Sequence, residues 1–192
     1  DAEPLKLFVD GGGARFGLSF TGQLDQVAFH SLHNVIQSRR LPTIRIESAR
    51  GTFEFAQAPS PDSDAAIDLS LSLDDILIDQ SAGLPLGNRI AGFAADGSIT
   101  GAIPSGSPPA ALVEWRDAGG VAEITKLAIN WGPLALTADA TIALDKNLQP
   151  LIAGTAVVRG YNETVDAMVA GGLMSRAQGA TAKIALAAMA QT

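Results

Sequence analysis

The sequence contains no cysteine among its 192 residues. Disulfide frameworks, thiol nucleophiles, iron–sulfur clusters and cysteine-ligated zinc are therefore excluded. Aromatic residues make up only 5%, with one tyrosine and two tryptophans, so any core has to be aliphatic and alanine-rich. Positive charge is scarce as well: 13 Lys and Arg stand against 20 Asp and Glu, for a formal net charge of −7. A protein that tracks nucleic-acid phosphates needs a basic face, and this balance argues against nucleic acid as a partner. No apolar run approaches the roughly 20 residues of a membrane-spanning helix.

What is present suffices for one folded unit. The chain is 47% hydrophobic and 17% charged, with a mean hydropathy of +0.22. The reading is a single α+β domain over residues 1–192. The chain begins at Asp1 rather than Met, and the expectation is a trimmed or processed piece of a longer protein.

Period-two alternation, the signature of half-buried strands, recurs along the chain. Two β-prone arms flank Asp10-Gly11-Gly12-Gly13 and read as a hairpin, with Phe16, Leu18 and Phe20 on one side. Residues 23–37 read as a strand followed by a short helix or loop. Ile44 and Ile46, then Phe53 and Phe55, continue the alternation. Residues 57–65, with two Pro and two Asp, read as an exposed loop. Ile67, Leu69, Leu71 and Leu73 alternate with Asp68, Ser70 and Ser72 and make the cleanest strand. Residues 84–90 read as a short helix or loop, 90–103 as a strand, 101–109 as a Pro/Gly/Ser loop, and 109–116 as a short helix. Residues 126–131, 134–144 and 151–159 read as a three-stranded antiparallel meander with one wet face. Two helices follow: one capped by Asn162 and ended by Gly171-Gly172, and one over residues 175–190 with Gly179 weakening its start. The architecture expected is α+β, mainly β: a twisted antiparallel sheet of roughly eight strands with C-terminal helices packed on one face.

Little in the sequence carries chemistry. Walker A, G-x-S-x-G and H-E-x-x-H motifs are absent. His30 and His33, the only histidines, would share a helical face, yet no further ligands are marked nearby, so no metal is assigned. The glycine run at 11–13 precedes an alternating segment and reads as a turn rather than a dinucleotide loop. Asp62/Asp64 and Asp74/Asp75 read as solvated turn charges, and Trp115 and Trp131 as packing residues. The expectation is therefore no enzyme and no cofactor.

The segment around Trp131-Gly132-Pro133 carries a resemblance. A strand ending in W-G-P, a long strand with an acidic turn at 134–145, a strand ending in Arg159-Gly160, and then two helices resemble the C-terminal part of domain-of-unknown-function family 2125, found mainly in alphaproteobacteria. The resemblance covers about the last 70 residues. It implies an N-terminal anchor or signal, a periplasmic, cell-envelope location and one further strand after the helices, and it brings no catalytic residues. In general style the chain is also similar to AsmA-type envelope proteins, whose curved sheets carry lipids.

Two functional expectations follow. One is a non-catalytic structural or interaction module of the envelope, whose apolar stripes form a filled core. The other is a module for lipid or another hydrophobic ligand, with Leu134, Leu136, Ile142, Val165, Met168 and Val169 bordering a groove between sheet and helices. A homo-oligomer formed through the C-terminal helix or an edge strand is also expected, because Ile184, Leu186 and Met189 need a partner surface.

Overall fold

Alternating segments become strands only when they find neighbours, and here each finds the next in the chain. The computed structural model describes residues 5–11, 13–20, 24–37, 42–56, 65–101 and 107–189. The strands are β1 (Leu5–Gly11), β2 (Ala14–Phe20), β3 (Leu24–Ile36), β4 (Ile44–Phe55), β5 (Ala65–Ile78), β6 (Arg89–Thr100), β7 (Ala122–Trp131), β8 (Leu134–Leu144) and β9 (Pro150–Arg159). They lie in one antiparallel sheet in chain order, β1 at one edge and β9 at the other. A short 3-10 turn, Gln80–Ala82, follows β5. Helix α1 (Pro108–Asp117) joins β6 to β7, and α2 (Tyr161–Ala170) and α3 (Arg176–Met189) follow β9. The protein is thus a mainly β meander with C-terminal helices. Each strand returns beside its predecessor, so no long crossover is needed.

Several local expectations are corrected. Residues 24–36 form one long strand with no helix, because β2 pairs with it as far as Ser31 and β4 carries the pairing on to Ile36. Of the helix or loop expected at 84–90 the loop is what forms: residues 85–86 make a turn and β6 starts at Arg89. Asp74 and Asp75 lie inside β5, which runs on to Ile78, rather than in a turn. Their charge is compensated within the sheet: Arg50 reaches Asp74 at 3.2 Å and Arg89 reaches Asp75 at 2.5 Å. Helix α2 is capped by Gly160, not Asn162, which falls inside the first turn. Asp62 and Asp64 lie outside the described residues, as does most of the loop expected at 57–65. The same holds for residues 102–106 of the loop expected at 101–109.

The helices sit at the ends of strands. At the β6–β7 end, Trp115 of α1 donates its indole N–H to the Thr100 carbonyl (2.8 Å), and Arg116 donates to the carbonyls of Asp145 and Lys146 in the β8–β9 turn. Helix α2 meets the sheet at β8, and α3 packs on α2. Ser175 and Gln178 form a reciprocal cap at the start of α3: the Ser175 N–H donates to Gln178 Oε1 and the Gln178 N–H donates to Ser175 Oγ. The most buried apolar cluster is small, consisting of Ile46, Ala49 and Ile76, with Phe29, Leu73, Ile90 and Phe93 packed against it.

Candidate functional site

The strand registers stack side chains into rows that cross the sheet. One row runs Ala49, Leu73, Phe93, Ile129, Leu136, Val158 over β4 to β9. The next runs Phe16, Phe29, Gly51, Leu71, Ala95, Leu127, Ala138, Ala156 over β2 to β9. A third passes through Val27, Phe53, Leu69, Gly97, Ile124 and Ala140. Directly paired residues share a face, and alternation returns the chain to that face every second residue. These rows therefore form one continuous apolar surface. The intervening rows are polar: Gln26, Glu54, Asp68 and Ser98 in one, and Thr52, Ser70, Asp96 and Lys126 in another.

Among the described residues, the apolar surface is buried only around Ile46, Ala49 and Ile76 and is elsewhere partly exposed. Among the described residues no large side chain is fully buried, and Leu69, Leu71, Leu73, Phe93, Leu127 and Ile129 are all half-buried. The chain exposes 12,521 Å².

A crease modulates this face. Strict alternation would place Ile46 and Ile76 beside Ser48 and Asp74 on the polar side, yet both pack with Ala49 and Leu73. The ladder omits the pairs His33/Glu47, Glu47/Asp75 and Asp75/Ala91 while keeping its register on either side. His33 and Asp75 take positive φ, 54° and 51°. These two residue types tolerate that region better than most. Each is held by a side-chain partner, His33 Nε2 by Glu47 Oε1 at 3.0 Å and Asp75 by Arg89, whose guanidinium also donates a second bond to Asp75 at 3.1 Å. The hydrogen bond and charge of Asp75 raise the Arg89 pKa above its ordinary value. The crease returns Ile44, Ile46, Ile76, Ile78 and Ile90 to the apolar side.

The sequence-derived groove residues divide into two groups. Leu134, Leu136 and Ile142 lie on β8 on the apolar face, all half-buried. Val165 is buried, and with Val169 it faces α3, where a Cβ on Gly179 would come within 2.6 Å of Val169 Cγ2. Met168 is half-buried on the same helix. The structure thus brings the β8 residues together with the rows above and sets Val165 and Val169 into the helix pair. Sequence reasoning omitted the middle of the face, Leu69 to Leu73, Phe93, Leu127 and Ile129. The signal was available, since three helices of 10, 10 and 14 residues cannot cover nine strands.

The polar face carries a depression of about 450 Å³ lined by Thr52, Glu54, Asp68, Ser70, Asp96, Ser98 and Thr125. Its groups are largely engaged with one another and with neighbours: Ser70 Oγ donates to Asp96 at 2.6 Å, Thr125 to the Asp96 carbonyl, and Gln26 to Glu54. Among the described residues no three His, Asp or Glu side chains converge as a metal site. His30 and His33 lie on a strand, so their spacing does not place them on a common helical face.

The W-G-P and R-G segments converge at one end of the sheet. The Trp131 indole donates to the Gly87 carbonyl at 2.8 Å. A Cβ on Gly132 would collide with the Leu86 carbonyl, and one on Gly160 with the Pro133 carbonyl. Both glycines have positive φ, 55° and 69°. A family model described as an uncharacterized protein conserved in bacteria, DUF2125, matches residues 11–192. The chain belongs to this family. Comparison with curated proteins and with solved structures produced no match. In this DUF2125 chain the motif residues form the joint that locks the β7–β8 turn, the loop before β6 and the start of α2. Their role is structural, and the surface they support is the apolar face.

Proposed function

We propose that this protein is a non-catalytic module of the bacterial cell envelope that holds an apolar chain molecule, the acyl chain of a lipid, along the open face of its sheet. The observation that carries the reading is the run of apolar rows from β2 to β9 with no large side chain fully buried. Each half-buried Leu or Phe leaves apolar area in water, and covering it returns about 25 cal/mol per Å². The chemistry of the face favours an acyl chain over a protein partner. The rows through Leu71 and Leu73 present no charged group from β4 to β9, so they provide no directional anchor. Apart from Trp131, the β7–β9 half alternates Leu, Ile and Val with Ala and Gly, a smooth aliphatic surface suited to an acyl chain, while Phe16, Phe29, Phe53 and Phe93 lie on the β2–β6 half. The envelope location rests on the resemblance described above.

Native mass spectrometry of protein purified from cells tests the reading. Lipid that co-purifies at fixed stoichiometry is expected. The substitution Leu71→Glu should remove it, and Thr137→Glu on the polar side should not. A clean protein mass, with no binding of a fluorescent fatty acid by the purified chain, would overturn the ligand reading. It would leave the structural or interaction module, for which Leu173 and Ile184, 62% and 73% exposed on the helix side, supply a contact surface. Location is checked by fractionating cells that express the full-length gene product. Turnover in a broad hydrolase screen, lost on replacing a specific carboxylate, would refute the non-catalytic assignment.

A further inference from the structure

Left-handed backbone is unfavourable for any residue with a Cβ and costs glycine nothing, so a strained residue other than glycine points to a use for its side chain. Among the described residues three non-glycine residues have positive φ. Leu148 lies in the β8–β9 turn, whereas His33 and Asp75 lie inside β3 and β5. Both of these strand residues line one cavity of about 170 Å³ in the crease. It has room for about six water molecules, which is less than a drug-sized ligand needs. Arg45 and Glu47 of β4 line it too, with Val35 and Leu77 as apolar walls.

The cavity faces charges of both signs. By register Glu47 stands opposite Asp75 on the neighbouring strand, and like charges so placed destabilise a sheet. His33 and Arg89 bond these two carboxylates from the strands on either side, β3 and β6. Arg45 is exposed and forms no ion pair among the described residues. It lies two residues from Glu47 on the same strand, about 7 Å away along the chain. We propose that this cavity binds a small zwitterion: an ammonium group against Glu47 and Asp75, joined by a short carbon chain to a phosphate or carboxylate against Arg45. A simple anion would meet the two carboxylates and a simple cation would meet Arg45, whereas a zwitterion makes charge-assisted hydrogen bonds at both ends. This is the chemistry of an aminoalkyl phosphate or an ω-amino acid, free or carried as the headgroup of a lipid. The proposal does not depend on what the apolar face holds.

Titration of the isotope-labelled chain with O-phosphoethanolamine and with β-alanine, followed by two-dimensional NMR, tests it. At least one of the two should give saturable shifts at the amides of residues 45–47 and 75–77 and none in the Leu71 row. Ethanolamine and inorganic phosphate should each bind at least tenfold more weakly. Arg45→Gln and Glu47→Gln, both at exposed positions, should each raise the Kd at least tenfold with an unchanged circular dichroism spectrum. Asp68→Asn, in the other depression of the polar face, should leave it unchanged. Flotation with vesicles separates the two sources. Retention on phosphatidylethanolamine but not on phosphatidylglycerol, lost in Glu47→Gln, assigns the headgroup; saturable shifts without retention assign a free solute. Wild-type chain that shows no shift with either zwitterion overturns the proposal. So does ethanolamine or phosphate that binds as tightly as the zwitterion, or binding that survives both Arg45→Gln and Glu47→Gln.

Discussion

Gly160 caps α2 in the left-handed region, and the Pro133 carbonyl stands where a Cβ would be. A side chain there meets two penalties. The backbone conformation costs an L-residue roughly 1–2 kcal/mol, and the contact forces the β7–β8 turn away. Gly160→Ala should therefore lose at least about 2 kcal/mol, read as a lower urea midpoint at unchanged slope. Asp75 presents a different balance. Its positive φ is unfavourable, while its two bonds to Arg89 hold the crease. Asp75→Ala removes the bonds and keeps the strain, whereas Asp75→Gly removes both. The glycine variant should be the more stable of the two by about 1 kcal/mol. The reverse order in thermal melts would show that the crease is not set by this residue.

Among the elements, α2 and α3 depend on one small residue. Gly179 lets Val165 and Val169 close onto α3, and this closeness is why a residue of poor helix propensity stands in the first turns of that helix. Gly179→Val should push the helices apart at a cost of roughly 1–3 kcal/mol. Hydrogen exchange should then quicken in α2 and α3 and leave β4 to β7 unchanged. The helix pair was legible in the sequence from the stripe of Val165, Met168 and Val169 and from the two glycines at 171–172. Its contact surface was not, because a stripe says only that a face is covered and not what covers it. Strand β3 was legible only in its first part, for a similar reason. Val27, Phe29 and Leu32 suit a strand while Leu24, Val27, Leu32, Val35 and Ile36 partly suit a helix, and only pairing with β2 and β4 selects the extended form.

At the scale of the whole molecule, stability and occupancy are linked. A sheet that leaves part of its apolar face in water buries less on folding than its composition permits, and anything that binds the folded state alone adds stability by mass action. An acyl ligand at a hundredfold excess over its Kd should add about 2.7 kcal/mol. Delipidated protein should accordingly unfold at a lower urea concentration than protein as purified and recover when fatty acid is added. Equal midpoints in the three samples would count against the open face as a binding surface.

The sequence alone determined the class of the fold, because a period of two with one polar side is the local condition for a half-wet antiparallel strand and needs no tertiary information. It determined equally that thiol and disulfide chemistry are excluded, since those depend on one residue type that is missing. The tertiary structure decided where alternation stops being a guide. At His33, Glu47, Asp75 and Ala91 four neighbouring strands crease together, and Ile46 and Ile76 change sides. No one-dimensional period can report that, because it depends on backbone angles that the neighbouring strands and the Arg89–Asp75 pair impose. Among the described residues the structure leaves most of the apolar rows partly exposed. Whether a stripe becomes core depends on the area that other elements bring to it, and here the helices sit at the ends of the strands.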